Sequence, residues 1–141
     1  MLKQNVIGYT KDSGFQTGVR KTFDVSVETA WDFLFSPSGI DIWLGQVEYN
    51  QLMPDHDFKT KEDIAFKITT FKPYSHVRLS WKPGYWVNVS ALQVRVINAK
   101  GKATVSFHQD KLLDVCQREE MKKYWSSVLD KIGAVIGRNS I

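Results

Sequence analysis

The residues able to do chemistry in this chain are few and scattered. Its three His stand at positions 56, 76 and 108, in different segments. No two have the His-x-x-x-His spacing that places imidazoles on one helix face for a metal. Asp55-His56-Asp57 has the composition of an acid/base group, but Pro54 beside it marks a polar turn, and no nucleophile is near. Glu62-Asp63 precedes an apolar run and reads as a solvated strand start. Cys116 falls in the first turn of a predicted helix, where thiol pKa values tend to drop. The commoner role of such a cysteine is a small buried apolar residue, and that is the expectation here. No Gly-rich phosphate loop and no Ser/His/Asp grouping stands out. His108 is the most informative of the set. It shares strand parity with Thr104 and Ser106, opposite Val105 and Phe107, so it is expected to face solvent. A bend in the strand would instead bring it inward as a polar anchor. The sequence therefore offers no catalytic set, no metal site and no cofactor motif, and points to binding, with His108 or Glu48 the nearest acid/base candidates for an enzyme.

These residues need elements to position them. Phe15, Val19, Phe23 and Val25 alternate with Gln16, Arg20, Thr22 and Asp24, which predicts a half-buried strand. At Ser26 the period changes to that of a helix. Ser26 is a good N-cap, Glu28 suits the first turn, and Val27, Ala30, Trp31 and Leu34 recur at helical spacing. Ser36-Pro37-Ser38-Gly39 breaks that helix. A second short helix carries Ile40, Trp43 and Leu44 and ends at Gly45.

The middle of the chain alternates. Ile64, Phe66 and Ile68 form one apolar row, and Val77, Leu79 and Trp81 another. Pro83-Gly84 is a turn signal, flanked by Trp81, Tyr85 and Trp86. A long strand is predicted from Trp86 to Ile97, with a hairpin tip at Lys100-Gly101 and a further strand through Ala103, Val105 and Phe107. The sequon Asn88-Val89-Ser90 falls inside that strand pattern. Val47-Glu48-Tyr49 reads as a short strand, and Met53 to Asp57 as a loop. The last element is the strongest helix. Asp114 and Gln117 have capping-box spacing, and Met121, Tyr124, Trp125, Val128, Leu129, Ile132, Val135 and Ile136 make one broad stripe. From 115 to about 136 it would span on the order of 30 Å. Strands joined by short turns form an antiparallel meander, and so wide a stripe needs a sheet to cover.

Bulk properties agree. A chain of 141 residues is one domain by size, with residues 1–14 as an N-terminal arm and 15–141 as the folded unit. Apolar residues make up 43% and aromatics 13%, including five Trp, which suits a real core. The net charge of +4 is dispersed, without a basic run interleaved with aromatics, so nucleic acid is not an expected partner. A lone cysteine, no signal-peptide core and no run of about 18 apolar residues make a cytoplasmic chain without a membrane span the expectation.

The order of strand, two short helices, antiparallel strands and long C-terminal helix matches the helix-grip fold. Local residues carry the likeness further. The run from Val19 to Trp31 resembles the opening strand and first helix of the START-like (SRPBCC) superfamily, and Trp43-Leu44-Gly45 the end of its second helix. Val77-Arg78-Leu79-Ser80-Trp81, Val105-Ser106-Phe107-His108, and Met121 with Trp125 resemble the group homologous to the C-terminal domain of activators of the ninety-kilodalton heat-shock chaperone's ATPase. The resemblance covers residues 8 to 136. It implies an α+β fold, a curved antiparallel sheet wrapped around the last helix, with a cavity for a hydrophobic or amphipathic small molecule between them. The wall of that cavity is then expected from Trp43, Phe66, Arg78, Trp81, Tyr85, Trp86, His108, Met121 and Trp125. Apolar walls with a few polar groups are what small-ligand sites look like, although Arg78 alternates against inward Leu79. The same aromatics are equally what a filled core looks like. The expected function is non-enzymatic binding of such a molecule. The alternatives are a co-chaperone-like module stimulating a heat-shock chaperone ATPase, and a cyclase- or hydrolase-type enzyme of the same superfamily.

Overall fold

The structure, a computed structural model, describes residues 9–10, 14–47 and 54–139. Its strands are β1 (Tyr9–Thr10), β2 (Gly14–Phe23), β3 (Asp57–Lys59), β4 (Ile64–Lys72), β5 (His76–Pro83), β6 (Ser90–Ala99) and β7 (Lys102–Leu112). Its helices are α1 (Val27–Leu34), α2 (Pro37–Trp43) and α3 (Val115–Asn139). The strands form a single antiparallel sheet in the order β1-β2-β7-β6-β5-β4-β3. This is the helix-grip arrangement, with the two short helices after the first long strand.

Strand parity sets the two faces. Ile64, Phe66 and Ile68 of β4 are buried, as are Val77, Leu79 and Trp81 of β5, Leu92, Val94 and Val96 of β6, and Val105 and Phe107 of β7. These rows face α3, whose Met121, Trp125, Val128, Leu129, Ile132 and Ile136 are buried against them. The predicted stripe is thus the packed face, except that Tyr124, 38% exposed, and the half-buried Val135 stand outside the buried core. Gly133 lets α3 approach β2 closely: a Cβ there would lie 3.0 Å from the Phe23 ring.

The caps follow the sequence signals. The Ser26 side chain accepts from Thr29 N at 3.1 Å. Asp114 Oδ1 accepts from Gln117 N at 2.8 Å, and the Gln117 side chain reaches back to Leu113 N at 2.9 Å. Lys100 and Gly101, with φ of 55° and 86°, form the hairpin tip between β6 and β7. The Ser-Pro-Ser-Gly break has a second role, for it also starts α2. Ser36 accepts from Gly39 N at 3.1 Å, and Pro37 takes the first helical position, where its missing N–H costs nothing.

Several local expectations need correction. The strand predicted from Trp86 begins only at Ser90. Trp86 N bonds to Pro83 O at 3.0 Å and closes a turn, so residues 86–89 belong to a connection. Asn88 is held there by Lys111 O and by a reciprocal pair with the Gln117 amide. The sequon therefore lies at a turn, with its Asn amide already engaged. Asp57 is the first residue of β3 rather than part of a loop. Val47 is outside any strand, and Glu48, Tyr49 and Met53 lie outside the described residues. Cys116 is exposed, not buried. Val115 beside it is exposed too.

One polar connection crosses the apolar interior. Gln109 is fully buried on the inward row of β7. Its Oε1 accepts from Trp125 Nε1 at 2.7 Å, and its Nε2 donates to Ser90 Oγ at 2.8 Å. Ser90 in turn donates to Trp81 O at 2.5 Å. Every group in this chain is satisfied, which a buried amide requires. Trp125→Phe keeps an aromatic ring but strands Gln109 Oε1. It should lower unfolding stability by about 1–3 kcal/mol, measured by urea denaturation. Adding Gln109→Leu should recover part of that loss, since both partners are then apolar; a purely additive second loss would contradict the account.

Candidate functional site

The expected wall residues separate into three groups. Trp43, Phe66, Trp81, Trp86, Met121 and Trp125 come together in the interior, all buried. Their rings meet one another. Phe107 stacks on Trp125 at 4.7 Å and 8°, and Trp125 meets Trp81 at 5.7 Å. Trp43 meets Phe107 at 6.2 Å and anchors its indole N–H on Leu34 O at 2.7 Å. Phe66 stacks on Phe58 at 5.4 Å. Along this stretch the aromatic rings themselves occupy the space between helix and sheet. Arg78 and His108 lie on the opposite face of the sheet, as strand parity requires. Tyr85 stands at the surface, 73% exposed.

The interior has one distinctive end. Trp81 meets Trp86 edge to face at 5.5 Å and Tyr124 at 6.1 Å. The Pro83-Gly84 turn places Tyr85 and Trp86 here, opposite the first turns of α3. Tyr85 donates a short hydrogen bond to Glu120, tying that turn to the helix. The Glu120 bond, then burial, hold the Tyr85 hydroxyl above the usual tyrosine range. Burial, then the nearby Glu62 charge, push the Tyr124 hydroxyl up as well. The indole N–H of Trp81 is buried and has no acceptor among the described residues. The Trp86 N–H is buried too; it favours the ionised form of the neighbouring Tyr85 but lies outside hydrogen-bond geometry. Two buried donors at one corner are unusual, because an unmade hydrogen bond there costs about 1–3 kcal/mol each. This corner is the candidate site. It offers aromatic walls, two N–H donors and a phenol, which suits an acceptor oxygen on an aromatic or aliphatic body.

Tyr124 and the unpaired N–H groups were not separable by sequence from the rest of the aromatic stripe. Their signal is the Pro-Gly-Tyr-Trp turn, which interrupts a strand exactly where large aromatics cluster. Among the described residues no group of three His, Cys, Asp or Glu is placed to hold a metal, and no helix is long and apolar enough to cross a membrane.

Comparison with known proteins decides the family. The family described as activator of Hsp90 ATPase homolog 1-like protein matches residues 24–137. The chain belongs to this family. Solved structures share the fold of this AHSA1-like chain. CalU16 from Micromonospora echinospora has a TM-score of 0.73 at 18% identity, covering 86% of this chain and 73% of that one. An HSP90 activator from Plasmodium falciparum has a TM-score of 0.73 at 16% identity, with 86% and 96% covered. The Aha1 dimer from Colwellia psychrerythraea has a TM-score of 0.65 at 14% identity, with 83% and 92% covered. No curated protein matches the chain.

The raised Tyr124 fixes a pH dependence. Its folded pKa lies above that of the unfolded chain, so the stability it contributes is complete below about pH 10. As pH rises past that value the unfolded state ionises first, and stability falls until the folded hydroxyl also titrates. Wild-type unfolding midpoints should therefore drop more steeply between pH 9 and 11 than those of Tyr124→Phe. Parallel curves for the two proteins would remove the assignment.

Proposed function

We propose that this chain is a non-enzymatic binding domain for a small amphipathic molecule, held at the Trp81–Trp86–Tyr124 corner between the sheet and α3. The observation that carries this reading is the buried Trp81 N–H, which has no acceptor among the described residues. A ligand carbonyl or hydroxyl oxygen would satisfy it, and the Trp86 N–H beside it, while an apolar body lies against the rings. Membership of a family with the helix-grip fold supports the same region. Catalysis is not part of the reading. His108 is on the other sheet face, and the two acids near this corner already hold partners: Glu120 accepts from Tyr85, and Glu62, whose charge acts on Tyr124, accepts from Gln46 N at 3.0 Å. A cytoplasmic location accords with the exposed free thiol of Cys116.

The test is a panel of medium-chain fatty acids, their alcohols and aromatic ketones, followed by tryptophan fluorescence and native mass spectrometry. An oxygen-bearing member should bind and shift Trp emission. Trp81→Phe should weaken it about tenfold by removing one donor while keeping the ring. Binding that is indifferent to Trp81→Phe would place the ligand elsewhere.

A second reading rests on a different feature. Tyr85, Val87, Val89, Leu113 and Val115 are exposed apolar side chains. The bonds from Asn88 to Lys111 O and Gln117 bring their two segments side by side. Such a patch, with the family's printed description, supports a protein-docking role toward a heat-shock chaperone. The isolated chain should then stimulate the ATPase of a ninety-kilodalton heat-shock chaperone, and Val87→Glu with Val89→Lys should abolish the effect. No stimulation at large molar excess would end this reading.

A further inference from the structure

The sheet face turned away from α3 carries a groove of about 580 Å³ over the middle of β5, β6 and β7. Its composition is unlike the aromatic interior. The register sets Arg78 opposite Gln93, and Gln93 opposite His108. Two residues along, it sets Ser80 opposite Ala91, and Ala91 opposite Asp110. Ala91 is the short side chain in the second row, so the floor dips between Ser80 and Asp110.

The polar atoms of this groove are partly committed and partly free. Arg78 Nε donates to Gln93 Oε1 at 2.7 Å, which fixes the guanidinium and leaves its terminal nitrogens without a partner among the described residues. His108, which also lines the groove, is held by Nε2 donating to Gln16 Oε1 at 3.0 Å. Gly18 makes room for that ring, since a Cβ there would sit 3.3 Å from His108 Cδ2. Asp110 Oδ1 is buried and has no donor among the described residues. A buried carboxylate oxygen without a hydrogen bond is costly, and a ligand hydroxyl would satisfy it. Arg78 and Lys111 outweigh Asp110 in charge, so the groove favours an anion over a neutral or zwitterionic molecule. A planar guanidinium fork matches a carboxylate. Ser80 and the Gln93 amide can both exchange hydrogen bonds with hydroxyls.

We propose that this groove binds a polyhydroxylated organic acid, with Arg78 taking the carboxylate and Asp110 accepting from a hydroxyl. The site is separate from the aromatic corner, because it lies on the other face of the same strands.

D-glucuronate serves as the probe, with D-glucose and acetate as the arms lacking one of the two groups. Binding is followed by the ¹H–¹⁵N resonances of the Arg78 Nε–H, the Gln93 amide and the backbone of Ser80, Ala91 and Asp110. Glucuronate should shift these signals saturably, and glucose and acetate should bind at least about tenfold more weakly. Asp110→Asn and Arg78→Gln should each cost about tenfold, and Ala91→Leu should block the groove. No shift at tens of millimolar glucuronate overturns the proposal. So does acetate binding as tightly as glucuronate, or an affinity unchanged in both Asp110→Asn and Arg78→Gln. These two exposed-face substitutions leave the apolar interior untouched, so the result stands even where Ala91→Leu lowers stability.

Discussion

The hydrogen bond between Trp125 and Gln109 governs where α3 can lie. Hydrophobic burial is non-directional. A stripe of Met121, Val128, Leu129, Ile132 and Ile136 would pack nearly as well if the helix slid along the sheet by one turn, about 5.4 Å. Such a slide would leave the Gln109 carbonyl and the Trp125 N–H buried and unpaired, and each would cost about 1–3 kcal/mol. The polar pair therefore selects one register from several apolar ones. Ser90 extends the constraint into β6, and the Trp81 carbonyl carries it into β5. The Asn88–Gln117 pair and the Tyr85–Glu120 bond repeat the same logic at the N-terminal end of α3. Helix and sheet are thus pinned at three levels, and the corner formed by Trp81, Trp86 and Tyr124 inherits its geometry from those pins.

Much of this was legible in the residues because it depends on local rules. Strand parity located the inward rows of β4, β5 and β7, and with them the outward placement of His108. Ser26, Asp114 and Gln117 announced helix starts that hydrogen bonds at those very residues realise. What escaped was decided between elements. Residues 86–89 alternate like a strand, but Asn88 is captured by Lys111 and Gln117, some way along the chain, and the ladder begins only at Ser90. Cys116 has the character of a core residue, yet it lies on the exposed side of the first turn of α3. Gln109 was the recoverable miss. It continues the inward parity of Ala103, Val105 and Phe107, and a polar residue on such a row must find a buried partner. The site residues divide in the same way. Burial of the tryptophans followed from pattern, whereas which indole would lack an acceptor depended on distances no pattern contains.

The interior also limits what this member of the family can hold. A helix-grip fold can leave an open channel along its last helix, but here Phe107 lies flat on Trp125, and Trp43 also packs against Phe107. Opening that stretch would separate stacked rings and break the Trp125–Gln109 bond together. Around Trp81 the cost runs the other way, because two indole donors there lack acceptors among the described residues and an incoming oxygen would relieve them. The proposed ligand would therefore sit at one end of the helix rather than along it, and would be short. Its polar atom would point into the protein, toward the indoles, with the apolar remainder extending past Tyr124 to the margin of α3. This inverts the usual orientation of an amphipathic guest, whose polar group faces water. It follows from the placement of unpaired donors, not from the shape of the fold, and relatives that share the fold need not share it.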